Sequence, residues 1–186
     1  MNNIVYRKAT IEDAYDIEFV ASYSWKETYY DLMPNDYLNT RIENIATRAE
    51  RTKEFLKNTN DYWVAIVNGK IIGILYYSHS KEEKYKNYGY LGAIYILKDY
   101  QGMGIGRELF KIAIENLIRF GYNDMYLECL KGNPTMDFYE HFGGRIIDTV
   151  DYPIHNFSVR ADIVEFNNLN MILNKIKNNV REKHKR

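Results

Sequence analysis

The chain has 186 residues, 46% hydrophobic and 27% charged, which fits one globular domain with a sizeable core and excludes a disordered polymer. Lys+Arg and Asp+Glu both number 25, and zero net charge offers no general attraction to nucleic acid or to a membrane surface. One cysteine, Cys129, excludes a disulfide framework, no apolar run approaches the roughly 20 residues of a membrane span, and Met1–Arg7 lacks the apolar core of a signal peptide, so the expected location is the cytoplasm.

Ile4 to Arg7 reads as a short strand. Thr10 has the chemistry of a helix cap, with Glu12 and Asp13 in the first turn and Ala14, Ile17 and Ala21 at helical spacing. After Pro34 one further helix is expected, with Leu38, Ile42, Ile45, Ala49 and Leu56 on one face. Trp63–Val67 and Ile71–Tyr77 are strands joined by Asn68-Gly69, a two-residue hairpin turn that needs positive φ at both positions. Ser78 to Asn87 reads as a polar loop, and the apolar run Gly89–Leu97 as a buried central strand.

A glycine-rich loop, Gln101 to Gly106, opens a helix whose apolar face is Ile105, Leu109, Ile112, Ala113, Leu117 and Phe120, and Gly121 ends it. Met125–Leu130 is the next strand. Asn133-Pro134 starts a short helix that stops at Gly143-Gly144. Strands follow over 145–150 and 159–166, then a helical stretch from Asn168 to Asn178 and a frayed basic tail from Val180. The order β-α-α-β-β-β-α-β-α-β-β predicts an α/β domain, a mixed central sheet with helices on both faces. That domain spans 1–166, and 167–186 form a C-terminal helical segment and tail.

The segment strand–Gln101-Gly102-Met103-Gly104-Ile105-Gly106-Arg107–helix carries the most chemistry. Glycines let backbone N–H groups approach an anion, and the helix N-terminus adds positive partial charge, which suits a phosphate or pyrophosphate. The same residues also fit a tight turn without a ligand. Two other phosphate motifs fail on spelling. No Gly-Lys pair precedes Ser or Thr, and the third glycine of G-x-G-x-x-G is replaced by Arg107 or Leu109.

Gln101, Gly104 and Gly106 resemble the [QR]-x-x-G-x-[GA] loop of GNAT acetyltransferases, and the element order from Ile4 to Phe166 agrees. The resemblance implies acetyl-CoA as co-substrate and no metal, with the loop amides of Gln101, Gly102, Met103, Gly104, Ile105, Gly106 and Arg107 on its pyrophosphate. It also implies that the strand before the loop splays from the next one, so that Ile94, Tyr95 and Ile96 pair with the pantetheine arm. Ordinary core strand is the other reading of these residues, and both can hold.

Asn133-Pro134-Thr135-Met136-Asp137-Phe138-Tyr139-Glu140-His141-Phe142-Gly143-Gly144 is similar to the family's N-x-x-A-x-x-F-Y-E-x-x-G helix. By that resemblance Tyr139 protonates the departing thiolate, since a phenol can supply a proton to a leaving sulfur. Otherwise it is a core aromatic beside Phe138. The resemblance also places Asn133 among the cofactor-binding residues, but it stands six residues before Tyr139 where the family pattern has seven, so either the helix starts a residue late or Asn133 is only a cap.

Many relatives carry a glutamate on the strand before the loop; here that strand has only Tyr90 and Tyr95 as polar residues. Glu128 is then the first candidate base for the attacking amine, sharing a face with Tyr126 and Leu130. Its other reading is a salt-bridged or solvated strand residue. Cys129 points the other way and reads as core.

Trp25-Lys26-Glu27-Thr28-Tyr29 and Pro34 resemble a W-x-x-T-Y…P segment of small bacterial GNAT proteins, where the connection between the first helices lines the acceptor site. Trp25 and Tyr29 either wall that pocket or pack on the sheet, and Tyr90 joins them on the substrate side. Glu27 and Asp31 either draw a cationic amine or are solvated charges. The expectation is an N-acetyltransferase for a small-molecule primary amine. Its rivals are a protein N-terminal or lysine acetyltransferase and a silent acyl-CoA-binding regulator. A nucleic-acid or membrane partner is not expected, and a homodimer is an implication by analogy with the family.

Overall fold

The computed structural model describes residues 3–183. Seven strands form one mixed sheet in the order β1-β2-β3-β4-β5-β7-β6. They are β1 (Ile4–Lys8), β2 (Tyr62–Val67), β3 (Lys70–His79), β4 (Gly89–Ile96), β5 (Met125–Leu130), β6 (Arg145–Ile154) and β7 (Phe157–Phe166). The helices are α1 (Ala14–Tyr29), α2 (Asn35–Glu43), α3 (Ile45–Leu56), α4 (Ile105–Arg119), α5 (Met136–His141) and α6 (Leu169–Lys183).

Two compact units make up the chain. One takes the chain up to Tyr76 and Ala93–Phe110; the other takes Tyr77–Gly92 and the chain from Lys111 on.

In the first unit β1 and β2 pair antiparallel, as do β2 and β3. Asn68 (φ 50) and Gly69 (φ 78) make the expected hairpin turn. Entry to α1 is fixed by a short 3₁₀ turn, Ile11–Asp13. There the Asp13 carboxylate accepts from the Thr10 N–H (2.7 Å) and takes both ends of the Arg7 guanidinium (2.6 and 2.8 Å). Burial pushes the Asp13 carboxyl up, but its bonds to Arg7 and Thr10 outweigh that and hold it below the usual range. Ala14, Ile17, Val20 and Ala21 of α1 then close with Ala49 and Leu56 of α3 over Val64, Ile71 and Ile74. A second, part-buried ion group ties α1 to α3, where Glu18 accepts from Arg48 (2.8 Å) and Thr52 (2.6 Å).

The single helix expected after Pro34 is two. Asn44 (φ −100, ψ 17) interrupts it, and its side chain donates to the Thr40 carbonyl at 2.9 Å. The break changes which residues face inward. Ile42 becomes only half-buried, while Leu38 and Arg41 are the buried residues of α2.

In the second unit β5 pairs antiparallel with β7, and β7 with β6. The last two strands are longer than expected because His155 (φ 50) turns the chain directly from Ile154 towards Phe157. Leu169, Ile172 and Ile176 bury one face of α6, and Lys177 reaches Glu115 of α4 at 2.9 Å. The helix runs to Lys183, past the point where a frayed end was expected; the last residues, including Lys185 and Arg186, lie outside the described residues. The loop after β3 is not simply polar, since Tyr85 is buried in it and stacks on Tyr126 with ring centroids 4.4 Å apart. Phe120 falls beyond the end of α4 and is exposed rather than part of its apolar face.

Candidate active site

β4 sits fourth of the seven strands, yet it is not the buried strand its apolar run predicts. Gly89 and Leu91 are buried; Gly92, Ala93, Ile94, Tyr95 and Ile96 are only half-buried. Its parallel register with β5 runs over Gly89↔Met125 and Tyr90↔Tyr126, two of its eight residues. A half-buried stretch at the end of a central strand leaves room beside it for something other than a neighbouring strand.

The loop that follows is held by its own first residue. The Gln101 side chain donates to the Ile96 carbonyl at 3.0 Å, so it fixes the approach of the loop. Gly102 (φ 76) and Gly104 (φ 82) adopt a backbone that side chains with a Cβ resist. The first helical bond of α4 is donated by Glu108 to Gly104 at 3.1 Å. Among the described residues, no N–H from Gly102 to Arg107 donates to a backbone carbonyl. Open N–H groups at the start of a fifteen-residue helix form an anion cradle. Arg107 adds a cation, with its Nη2 3.8 Å from where a Gly104 Cβ would stand. These groups fit a pyrophosphate, as coenzyme A carries.

In the second unit Tyr90 and Glu128, placed on the substrate and catalytic sides by the sequence, lie together. The Tyr90 hydroxyl donates to Glu128 Oε2 at 3.3 Å, and its ring lies 5.1 Å from that of Tyr126. Half-burial pushes the Glu128 carboxyl up, the Tyr90 bond lowers it, and the Glu82 charge raises it, with a net rise above the usual glutamate value. On the opposite face Cys129 is buried, and that burial, with the charge of Asp162, pushes its thiol up to about 12 against a lowering bond from Asn133. The thiol is unreactive at neutral pH, as the core reading requires.

Tyr139 lies on α5 and is 8% exposed, edge-on to Phe138 (5.5 Å) and Phe166 (6.2 Å). The helix begins at Met136, later than Asn133-Pro134 suggests. Asn133 instead closes the turn before it, accepting from the Thr135 N–H at 2.9 Å. Gly144 locks Tyr139 from behind. A Cβ there would stand 2.8 Å from Phe166 and Val164 and 2.9 Å from the Tyr139 carbonyl. Gly144→Ala is expected to cost about 2 kcal/mol by overpacking, seen as a lower urea midpoint with an unchanged slope.

Trp25 is half-buried at the end of α1, and Tyr29 is buried. The Trp25 ring meets Tyr29 at 5.0 Å, Tyr37 at 6.4 Å and Tyr95 of β4 at 6.4 Å. Glu27 and Asp31 are exposed. The residue that sequence reasoning missed is Arg41, whose guanidinium lies 4.0 Å over the Trp25 ring. Its one signal was the three-residue spacing from Leu38, which sets both on one helix face. In the second unit His79 stacks on Phe120 (4.9 Å), with Nδ1 2.8 Å from the Tyr122 hydroxyl.

Comparison with known proteins agrees with this architecture. The family model described as the acetyltransferase (GNAT) family matches residues 13–144. A curated Bacillus subtilis (strain 168) protein, the uncharacterized N-acetyltransferase YuaI, is 30% identical over 140 residues, covering 75% of this chain and 79% of that one. The PaiA N-acetyltransferase of Thermoplasma acidophilum, solved in complex with coenzyme A, superposes with a TM-score of 0.72 at 21% identity, covering 89% of this chain and 99% of that one. The yncA protein of Salmonella typhimurium, solved with its cofactor acetyl-CoA, gives 0.63 at 16% identity over 89% and 94%. With a matching family model over most of its length and this fold, the chain belongs to the GNAT family of N-acetyltransferases.

Proposed function

We propose that the chain acetylates the primary amine of a small molecule in the cytoplasm by direct attack on acetyl-CoA. The observation that carries this reading is the half-buried end of β4, which leads into the open N–H groups of residues 102–107 and meets the aromatic group around Trp25. An aromatic wall beside the strand favours a small acceptor over an extended protein segment. No helix among the described residues is long and apolar enough to cross a membrane.

Bound acetyl-CoA supplies the thioester carbonyl that the amine attacks. Gly102 to Arg107 hold the pyrophosphate, and Ile94, Tyr95 and Ile96 offer backbone groups to the pantetheine arm. Glu128 takes the proton from the incoming amine, a task suited to a carboxylate whose affinity for protons is raised. Tyr139 returns a proton to the departing sulfur.

Titration calorimetry with acetyl-CoA, run beside thiol-release kinetics over an amine panel, tests the reading. Tyr139→Phe is expected to keep acetyl-CoA affinity and lose about 100-fold in kcat. A chain that binds acetyl-CoA but turns over no amine is a regulator, and one that binds none loses the reading altogether.

A further inference from the structure

We infer that Arg41 binds an anionic group of the acceptor, so that the amine substrate also carries a carboxylate, as a free amino acid does. The amine half of this statement rests on the function proposed above; the anion half rests on Arg41 alone.

Arg41 is 8% exposed. Its backbone is pinned, since Ser22 Oγ donates to its carbonyl at 3.2 Å. Its guanidinium lies on the Trp25 ring. Among the described residues it has no carboxylate at ion-pair distance, and its Nε is buried with no hydrogen-bond partner. The buried carboxylates at the two ends of the first turns of α1 have their own cations, Asp13 with Arg7 and Glu18 with Arg48. A buried cation without a counter-ion is costly, and stacking on one indole face leaves the in-plane Nε–H without an acceptor. The C-terminus of α2 supplies only a fractional negative charge and accepts none of these donors.

The place of this group matters as much as its chemistry. Trp25 carries Arg41 on its face and also meets Tyr95, in the half-buried stretch of β4. The cation therefore belongs to the wall beside the strand. Glu27 and Asp31, which the sequence offered as attractors of a cationic amine, are exposed. A planar fork bearing one uncompensated charge matches a carboxylate, planar and singly charged, better than a dianionic phosphate. An acceptor with both amine and carboxylate also separates a small amino acid from the N-terminus of a protein, which has no carboxylate beside its amine.

The test is a titration of the ¹⁵N-labelled full chain with sodium acetate, inorganic phosphate, acetamide and sodium chloride. The readout is the Arg41 Nε–H resonance, assigned by its loss in Arg41→Lys, with Trp25 emission as a second readout that needs no variant. The expected result is a saturable shift with acetate, a weaker one with phosphate and none with acetamide or chloride. No saturation with acetate overturns the inference, and tighter saturation with phosphate overturns its carboxylate assignment. In kinetics, amino acids are expected to exceed their amides at least about tenfold in kcat/KM, equivalent to about 1.4 kcal/mol. Arg41→Lys should remove most of that preference, and equal use of acids and amides by the wild type also overturns the inference. Failure of the acetyl-transfer reading appears separately, as absent acetyl-CoA binding, and leaves the acetate titration intact.

Discussion

Gly104→Val is expected to weaken acetyl-CoA binding at least about 100-fold, a loss of about 2.7 kcal/mol measured by calorimetry. The reason is local. Gly104 sits at φ 82, and a Cβ there would find only Arg107 Nη2, 3.8 Å away. The free protein thus has room for the side chain and suffers only backbone strain, on the order of 1–2 kcal/mol. On the proposed function the ligand loses that room, because valine would cover the open N–H groups proposed to hold the pyrophosphate. Gly69→Val separates the two effects. It imposes similar strain at φ 78 in the β2–β3 turn, with nothing within 4 Å of its Cβ. It should lower stability alike and leave acetyl-CoA affinity unchanged. Equal affinity in wild type and Gly104→Val would return the loop to a plain turn.

Glu128→Gln is expected to lower kcat/KM about 1000-fold at neutral pH, within the range that positioned general bases supply. The pH profile gives a sharper test. The proposed base works ionised, so kcat/KM is expected to fall as pH drops through the Glu128 pKa, at a midpoint above the usual glutamate value. Tyr90→Phe removes a bond that favours the ionised form and should move that midpoint further up. Glu82→Gln removes a like charge and should move it down, by less at high salt because Glu82 is exposed. A Glu128→Gln chain that keeps its rate and its acid limb would leave Glu128 as a strand residue bonded to Tyr90.

Local patterns carried much of the architecture. Turn chemistry marked the Asn68-Gly69 hairpin between the apolar runs of β2 and β3, and Gly121 (φ 93) was legible as the end of α4. The break at Asn44 was not legible, because apolar spacing from Leu38 to Leu56 continues across it. Nor was the later start of α5, since Asn133-Pro134 fits a helix start and a preceding turn equally well.

The candidate site divides in the same way. The spelling of residues 101–107 and the alternation that separates Glu128 from Cys129 are properties of neighbours in the chain, and the sequence by itself determined them. Whether a strand is covered, and whether a charge has a partner, depends on residues distant in sequence. The short register of β4 with β5, the Tyr90–Glu128 bond and the seating of Arg41 on Trp25 were therefore decided only by the tertiary structure. Burial turns an ordinary glutamate into a stronger base and an ordinary arginine into a cation that lacks a counter-ion, and burial is set by how the elements pack.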